Sequence, residues 1–175
     1  LHSFPTRRSS DLEQWGVDLL QRVRGMFTFV IWDKNKQELF GARDHFGIKP
    51  FYYAKMNGTF MYASEIKSLL RHPDFVKELN AEALKPYMTF QYPAIGETFF
   101  KGVYKLPEGH YFTYRDGKMD IHRYYDEDFR EGKQKLGELV NSIDQTVCDS
   151  VKAHQIADVE VGSFLSSGVD SSYVA

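Results

Sequence analysis

Val159-Glu160-Val161-Gly162-Ser163-Phe164-Leu165-Ser166-Ser167-Gly168-Val169-Asp170-Ser171-Ser172 is the stretch that decides how the carboxy-terminal part of the chain reads. Residues 159–165 mix β-branched and aromatic side chains in the manner of a buried parallel strand. Residues 166–172 then bring a glycine among small hydroxyl side chains. A strand, a small-residue loop and a helix start gather backbone N–H groups, the positive end of a helix dipole and hydroxyl donors around one point. An anion fits there, so the order predicts an α/β unit whose loop accepts a nucleotide's phosphates. Ser-Gly-rich turns also occur without a ligand, and the rest of the chain has to supply the context.

Upstream, Gly25-Met26-Phe27-Thr28-Phe29-Val30-Ile31-Trp32-Asp33 is apolar almost without a break, which predicts a strand buried on both faces. Lys34-Asn35-Lys36 ends it, and Glu38 to Arg43 reads as a second strand. Asp44-His45-Phe46-Gly47-Ile48-Lys49-Pro50 then turns the chain. An Asp after a strand bonds nearby backbone N–H groups, Gly47 takes positive φ, and Arg43 serves as a salt-bridge or carbonyl partner. Strands at Phe51 to Lys55 and Thr59 to Ala63 flank Asn57-Gly58, a tight-hairpin dipeptide, and the four strands read as one antiparallel meander. Ser64 suits an N-cap, with Glu65 in the first turn of a short helix through Leu70.

Farther on, Asn80 suits the cap of a helix beginning at Ala81, and 92–98 reads as a loop. Arg115-Asp116-Gly117 joins strands at His110 to Tyr114 and Lys118 to Tyr124. Asp126 to Lys135 is a charged, solvated linker. Leu136, Leu139, Val140, Ile143, Val147 and Val151 recur at helical spacing.

Residues 166–172 resemble the Ser-Gly-Gly-x-Asp-Ser-Ser pyrophosphate loop of ATP pyrophosphatases. Ser167 stands where that family has its first Gly; its Cβ narrows the backbone conformations available, while its hydroxyl adds a donor. Gly25 to Asp33, Ala42 to Tyr53 and Ala63-Ser64-Glu65-Ile66-Lys67 are similar, in order, to the later half of the glutaminase domain of glutamine-hydrolysing asparagine synthetases. Leu106-Pro107-Glu108-Gly109-His110-Tyr111 and Tyr124-Tyr125 are similar to the segment joining that domain to the synthetase domain.

The resemblance runs from about Glu13 to Ala175. It implies an incomplete α+β glutaminase over 13–125, an αββα sandwich of the N-terminal-nucleophile (Ntn) hydrolase type that includes the interdomain segment. Over 126–175 it implies the start of an α/β ATP-pyrophosphatase domain.

The activity implied is that of an asparagine synthase, a carbon–nitrogen ligase with glutamine as amido donor. Glutamine releases ammonia, ATP with Mg2+ adenylates the side-chain carboxylate of aspartate, and ammonia displaces AMP. Adenylation is needed because a carboxylate resists ammonia, whereas AMP leaves readily once loop donors and magnesium stabilise the departing pyrophosphate. Leu165 would touch the adenine or ribose. Ser166, Ser167, Gly168, Val169, Asp170, Ser171 and Ser172 would surround the phosphates, Asp170 alternatively acting as a helix N-cap. The family's glutaminase nucleophile, a cysteine at the first residue of the mature chain, has no counterpart here. No catalytic residue is assigned, and this chain by itself is expected to catalyse neither reaction.

Leu1-His2-Ser3-Phe4-Pro5-Thr6-Arg7-Arg8-Ser9-Ser10-Asp11-Leu12 has no Met and no signal-peptide run. It reads as a foreign, adapter-derived segment or as a native disordered tail, in either case without a site. Cys148, the single cysteine, lies beside the apolar stripe of 136–151 as a small packing residue. One cysteine excludes an internal disulfide framework and suits a reducing, cytoplasmic setting.

Lys and Arg number 22 against 24 Asp and Glu, so no basic excess draws the chain to nucleic acid or anionic lipid. No apolar run approaches the roughly 20 residues that span a bilayer. The His residues form no H-x-x-x-H or Cys-His cluster, so no protein-ligated metal is expected and Mg2+ would arrive with ATP. Expected partners are the small molecules glutamine, aspartate and ATP, with homodimerisation an open arrangement.

Two rival readings stay open. An aromatic-rich module with 11 Tyr and 14 Phe could bind carbohydrate or peptide, but it would need exposed aromatics where Phe27, Phe29 and Trp32 read as core. Another amidotransferase of the same superfamily, β-lactam synthetase-like or acting on a peptide carboxylate, would carry the same loop.

Overall fold

The computed structural model describes residues 4–92 and 96–175, so 93–95 of the loop expected over 92–98 lie outside it. Two compact units are present, Leu1–Glu127 and Asp128–Ala175. The first begins with helix α1 (Phe4–Trp15) and a 3-10 turn (Gly16–Gln21). Strands β1 (Thr28–Asp33) and β2 (Glu38–Arg43) follow, then β3 (Tyr52–Met56), β4 (Thr59–Ala63) and the short helix α2 (Ile66–Leu69). A 3-10 turn (Ala81–Ala83) leads into α3 (Leu84–Phe90), and β5 (Val103–Lys105), β6 (His110–Arg115) and β7 (Lys118–Arg123) complete the unit.

These strands form two antiparallel sheets, ordered β1-β2-β6-β7 and β4-β3-β5. The expected single meander of β1 to β4 is therefore corrected. After β2 the 44–51 turn carries the chain into the second sheet, and β2 takes β6 as its other neighbour, Gly41 opposite Phe112. Both predicted two-residue turns form, Asn57-Gly58 and Asp116-Gly117, each with positive φ at both positions as a type I′ turn requires.

Period-two alternation splits each strand between two faces. In β1 and β2, Phe29, Ile31, Phe40 and Ala42 pack on Leu19 and Leu20 of the 3-10 turn, whereas Val30 and Leu39 point the other way. In β3 and β4, Tyr53 and Phe60 meet that second set, while Ala54, Met56 and Met61 pack on Ile66 and Leu69 of α2. Phe51, Leu106 and Phe112 are the buried centre between the sheets. The rings of Phe60 and Tyr114 stack there at 4.2 Å, and Phe60 meets Phe112 edge-on at 6.0 Å. Phe112 needs the bare face of Gly41, where a Cβ would come 2.3 Å from its ring.

Several local expectations change. Among the described residues β1 pairs only with β2, so it is a half-buried edge strand and Trp32 is 47% exposed, not core. The apolar run is long because β1 meets a different layer on each face, not because it lies mid-sheet. The expected tail of residues 1–12 is helical from Phe4, and Leu12 with Trp15 packs on the Leu19–Leu20 cluster. Their i, i+3 spacing puts both on one side of the helix.

Glu65, not Ser64, is the N-cap of α2. Asn80 precedes its 3-10 turn without a side-chain cap bond; buried, it donates through Nδ2 to Glu97 Oε2 (3.1 Å) and the Thr98 carbonyl (3.0 Å).

The second unit holds α4 (Leu136–His154) and α5 (Val169–Val174). Residues 159–165 are not a strand, which corrects the opening expectation. No described segment pairs with them, and extended backbone without a ladder leaves its N–H and C=O groups to solvent. Phe164 is 99% and Leu165 67% exposed. The helical periodicity of α4 is realised, but Leu136, Leu139, Val140 and Ile143 are exposed, and Cys148 is an exposed free thiol, not a packing residue.

Candidate functional site

The loop begins with Ser166, whose hydroxyl lies 3.0 Å from that of Ser171 and whose N–H donates to the same Ser171 Oγ (3.3 Å). Ser171 Oγ also donates to the Gly168 carbonyl (3.1 Å), so one side chain ties the loop's entry to the first turn of α5. Gly168 is the N-cap, with extended backbone, and Ser172 N–H makes the first helical bond to its carbonyl (3.1 Å). The N–H groups of Val169, Asp170 and Ser171 thus have no intrahelical acceptor. Asp170 lies in the first turn of α5, so its alternative as N-cap is corrected: the cap position belongs to Gly168.

Ser167 has φ 60°, the left-handed region, which costs an L-residue about 1–2 kcal/mol. This is the position at which the resemblance puts glycine. Ser166, Gly168 and Ser171 are brought together, whereas Leu165 and Val169 project into solvent. A groove of about 650 Å3 in the same unit is lined by Val147, Val151 and His154 of α4 with Phe164 and Val174, but not by Leu165.

Three N–H groups without an intrahelical acceptor at a helix start, beside paired hydroxyls, are the kind of donor set that complements an anion. Sequence reasoning missed Tyr173, whose hydroxyl donates to Asp144 Oδ1 (2.7 Å) and holds α5 to α4. That bond raises the phenol's pKa above its ordinary value. A pair this far apart in sequence leaves no local signal.

In the first unit, the 43–50 turn is a knot of backbone bonds. Asp44, buried, accepts from the N–H groups of Ile48 and Lys49 (2.9 Å each). Arg43, also buried, donates to the carbonyls of Lys49 (2.7 Å), Leu106 (2.6 Å) and Gly47. Of its two expected partners, carbonyl or carboxylate, it takes carbonyls. Burial pulls the guanidinium pKa down, and the charge of Asp44 works against that. Gly47 has φ 62°, and a Cβ there would come 2.7 Å from the guanidinium. His45 stacks on Tyr125 at 4.1 Å, and its Nε2 is buried with no hydrogen-bond partner among the described residues.

The chain belongs to the glutamine amidotransferase domain family, whose sequence profile matches residues 10–125. Residues 142–175 match the asparagine synthase profile, so the amidotransferase part is followed by the start of a second domain. Among named relatives, the chain is 42% identical over 154 residues to asparagine synthetase [glutamine-hydrolyzing] 1 of Bacillus subtilis, covering 87% of this chain and 24% of that protein. It is 31% identical over 183 residues to asparagine synthetase [glutamine-hydrolyzing] 3 of the same organism (99% and 29% covered). It is 34% identical over 172 residues to amidase chry2 of Gibberella zeae (93% and 24% covered). The chain thus spans about a quarter of the length of the curated relatives it matches. Among the described residues no helix is long and apolar enough to cross a membrane.

Proposed function

We propose that the chain is a piece of an ATP-dependent, glutamine-hydrolysing asparagine synthetase: residues 13–125 the later part of its glutaminase domain, 126–175 the opening of its synthetase domain. The observation that carries this is the order of parts, an amidotransferase unit followed by a loop of paired hydroxyls leading into a helix start. The two sheets of the first unit, packed through Phe51, Leu106 and Phe112 with helical segments on their outer faces, support an Ntn-hydrolase-like αββα layering.

In this reading the hydroxyls of Ser166, Ser167, Ser171 and Ser172 and the N–H groups of Val169, Asp170 and Ser171 hold the β- and γ-phosphates. Gly168 lets the backbone approach them. Leu165, or Phe164 on the adjoining groove, takes the base. Mg2+ would arrive with ATP beside Asp170 and neutralise charge on the leaving pyrophosphate. Aspartate is the acceptor and glutamine the nitrogen source.

The test is product analysis with the longer protein supplied with ATP, aspartate and glutamine. AMP and pyrophosphate accompanying asparagine are expected, and ADP with phosphate would sink the reading. Asp170→Ala should abolish AMP release and spare glutamine hydrolysis; loss of both would mark Asp170 as a folding residue.

A further inference from the structure

The two sheets of the first unit leave β1, β7, β4 and β5 as edge strands among the described residues. Two of these edges are protected. β7 carries Lys118, Asp120 and Arg123, with Lys118 paired to Asp120 at 3.0 Å, and β5 runs only from Val103 to Lys105. Charged or short edges resist pairing with another chain. β1 and β4 have no such protection: neither Thr28 to Trp32 nor Thr59 to Ala63 holds a charged residue, a proline or a glycine.

These two edges lie on the same side of the unit. A cavity of about 250 Å3 opens between them, bounded by Thr28 and Val30 of β1, Tyr62 of β4, Ser64, and Phe51 of the buried centre. Trp32, near the end of β1, is 47% exposed and Tyr62 is 44% exposed. The apolar layer between the sheets therefore reaches the surface here.

We propose that this side is an interface for a second copy of the chain, whose β1 pairs antiparallel with β1 across a two-fold axis at Val30. A strand edge presents a row of N–H and C=O groups, and another extended backbone is the structure that matches such a row. Each face of β1 also fits itself. Phe29 and Ile31 pack toward Leu19 and Leu20, whereas Val30 points between the sheets. A two-fold axis perpendicular to the sheet keeps each face on its own side. It sets Phe29 opposite Ile31 of the second copy on one face; on the other, Val30 meets Val30 and Thr28 meets Trp32. A slip of one residue would set the two faces against each other. With no charge from Thr28 to Trp32, the copies meet without repulsion.

The strip is about 17 Å long and spans two sheets about 10 Å apart, so it buries roughly 700 Å2 counted on both copies. That is less than the roughly 1,200 Å2 of a stable interface, and a weak dimer with a dissociation constant of roughly 10–100 μM is expected. This inference does not depend on the synthetase reading.

Sedimentation equilibrium of the 175-residue chain tests it. Between about 1 and 500 μM the mass is expected to rise from monomer toward dimer. Trp32→Lys places a charge opposite Thr28 and should weaken dimerisation about tenfold or more. Adding Thr28→Glu puts opposite charges across both of these pairs and should restore it. In a Cys148→Ser background, Val30→Cys should give a disulfide-linked dimer on mild oxidation, because opposed positions of antiparallel strands lie about 4.5–5.5 Å apart. A chain that is monomeric at every concentration overturns the proposal. So does a dimer that Trp32→Lys leaves intact, and a dimer lost only in Ile143→Lys would put the contact on the stripe of α4 instead. Thermal unfolding of each variant is measured first. Should Trp32→Lys fail to fold, the crosslink from Val30→Cys decides, and its absence counts against the interface.

Discussion

The phenol of Tyr124 donates to the carbonyl of Arg43 at 2.7 Å, joining the end of β7 to the end of β2 across 81 residues of sequence. Burial, and then the charge of Asp44, raise this phenol's pKa well above its ordinary value. A phenol that holds its proton more tightly folded than unfolded stabilises fully below the unfolded pKa of about 10, and that contribution is lost as pH rises from there through the folded value. Stability of the first unit should fall above pH 10, and Tyr124→Phe should flatten the decline. Chemical denaturation across alkaline pH checks it, and an unchanged slope in the variant would count against the assignment.

The Asp44 carboxylate accepts from two backbone donors of the turn, Ile48 and Lys49, one on each oxygen. Asp44→Ala is expected to destabilise by about 2 kcal/mol, because two N–H groups are left unpaired. Asp44→Asn, which keeps one carbonyl oxygen, should lose less. Equal losses would mean that charge, not acceptor count, matters at the turn.

Gly109→Ala puts a methyl group 2.9 Å from the Tyr125 carbonyl oxygen, in a backbone conformation that disfavours any Cβ. A loss of about 1–3 kcal/mol is expected. Gly58→Ala serves as the control: it also has positive φ (83°) but open space around it, so its cost should be the smaller by thermal unfolding.

Ser167→Gly should steady the phosphate-loop candidate, since glycine occupies φ 60° without the Cβ penalty. Amide exchange at Gly168 to Ser172 is expected to slow. Faster exchange would show that the serine hydroxyl, not the backbone, dominates there.

The bond from Tyr173 to Asp144 predicts a titration signature in an exposed pair. Asp144→Asn removes the carboxylate that favours the protonated phenol, so Tyr173 should ionise at lower pH than in the parent. Ultraviolet titration against a Tyr173→Phe blank isolates the one phenol; no movement would mean α5 is not held to α4 in this way.

Much was legible locally. Asn57-Gly58 and Asp116-Gly117 encode their turns because their backbone preferences need no distant partner. The 44–50 turn was readable for the same reason: an Asp, a Gly and a Pro act on their own neighbours. The helical stripe of α4 showed in its spacing. The candidate loop was legible as a motif, and its hydroxyl pair forms within a few residues of chain.

Other features depended on which segments meet. An apolar run cannot say whether its strand is central or at an edge, and β1 is an edge strand with Trp32 turned to solvent. Residues 159–165 have the composition of a strand, but a strand exists only with a partner to receive its hydrogen bonds, and none of the described residues offers one. The switch of β3 and β4 into a second sheet and the stack of His45 on Tyr125 arise from pairings between residues far apart along the chain. Short-range conformational preference was set by the sequence itself; tertiary structure decided which preferences found partners, because hydrogen-bond ladders and ring stacks need two surfaces.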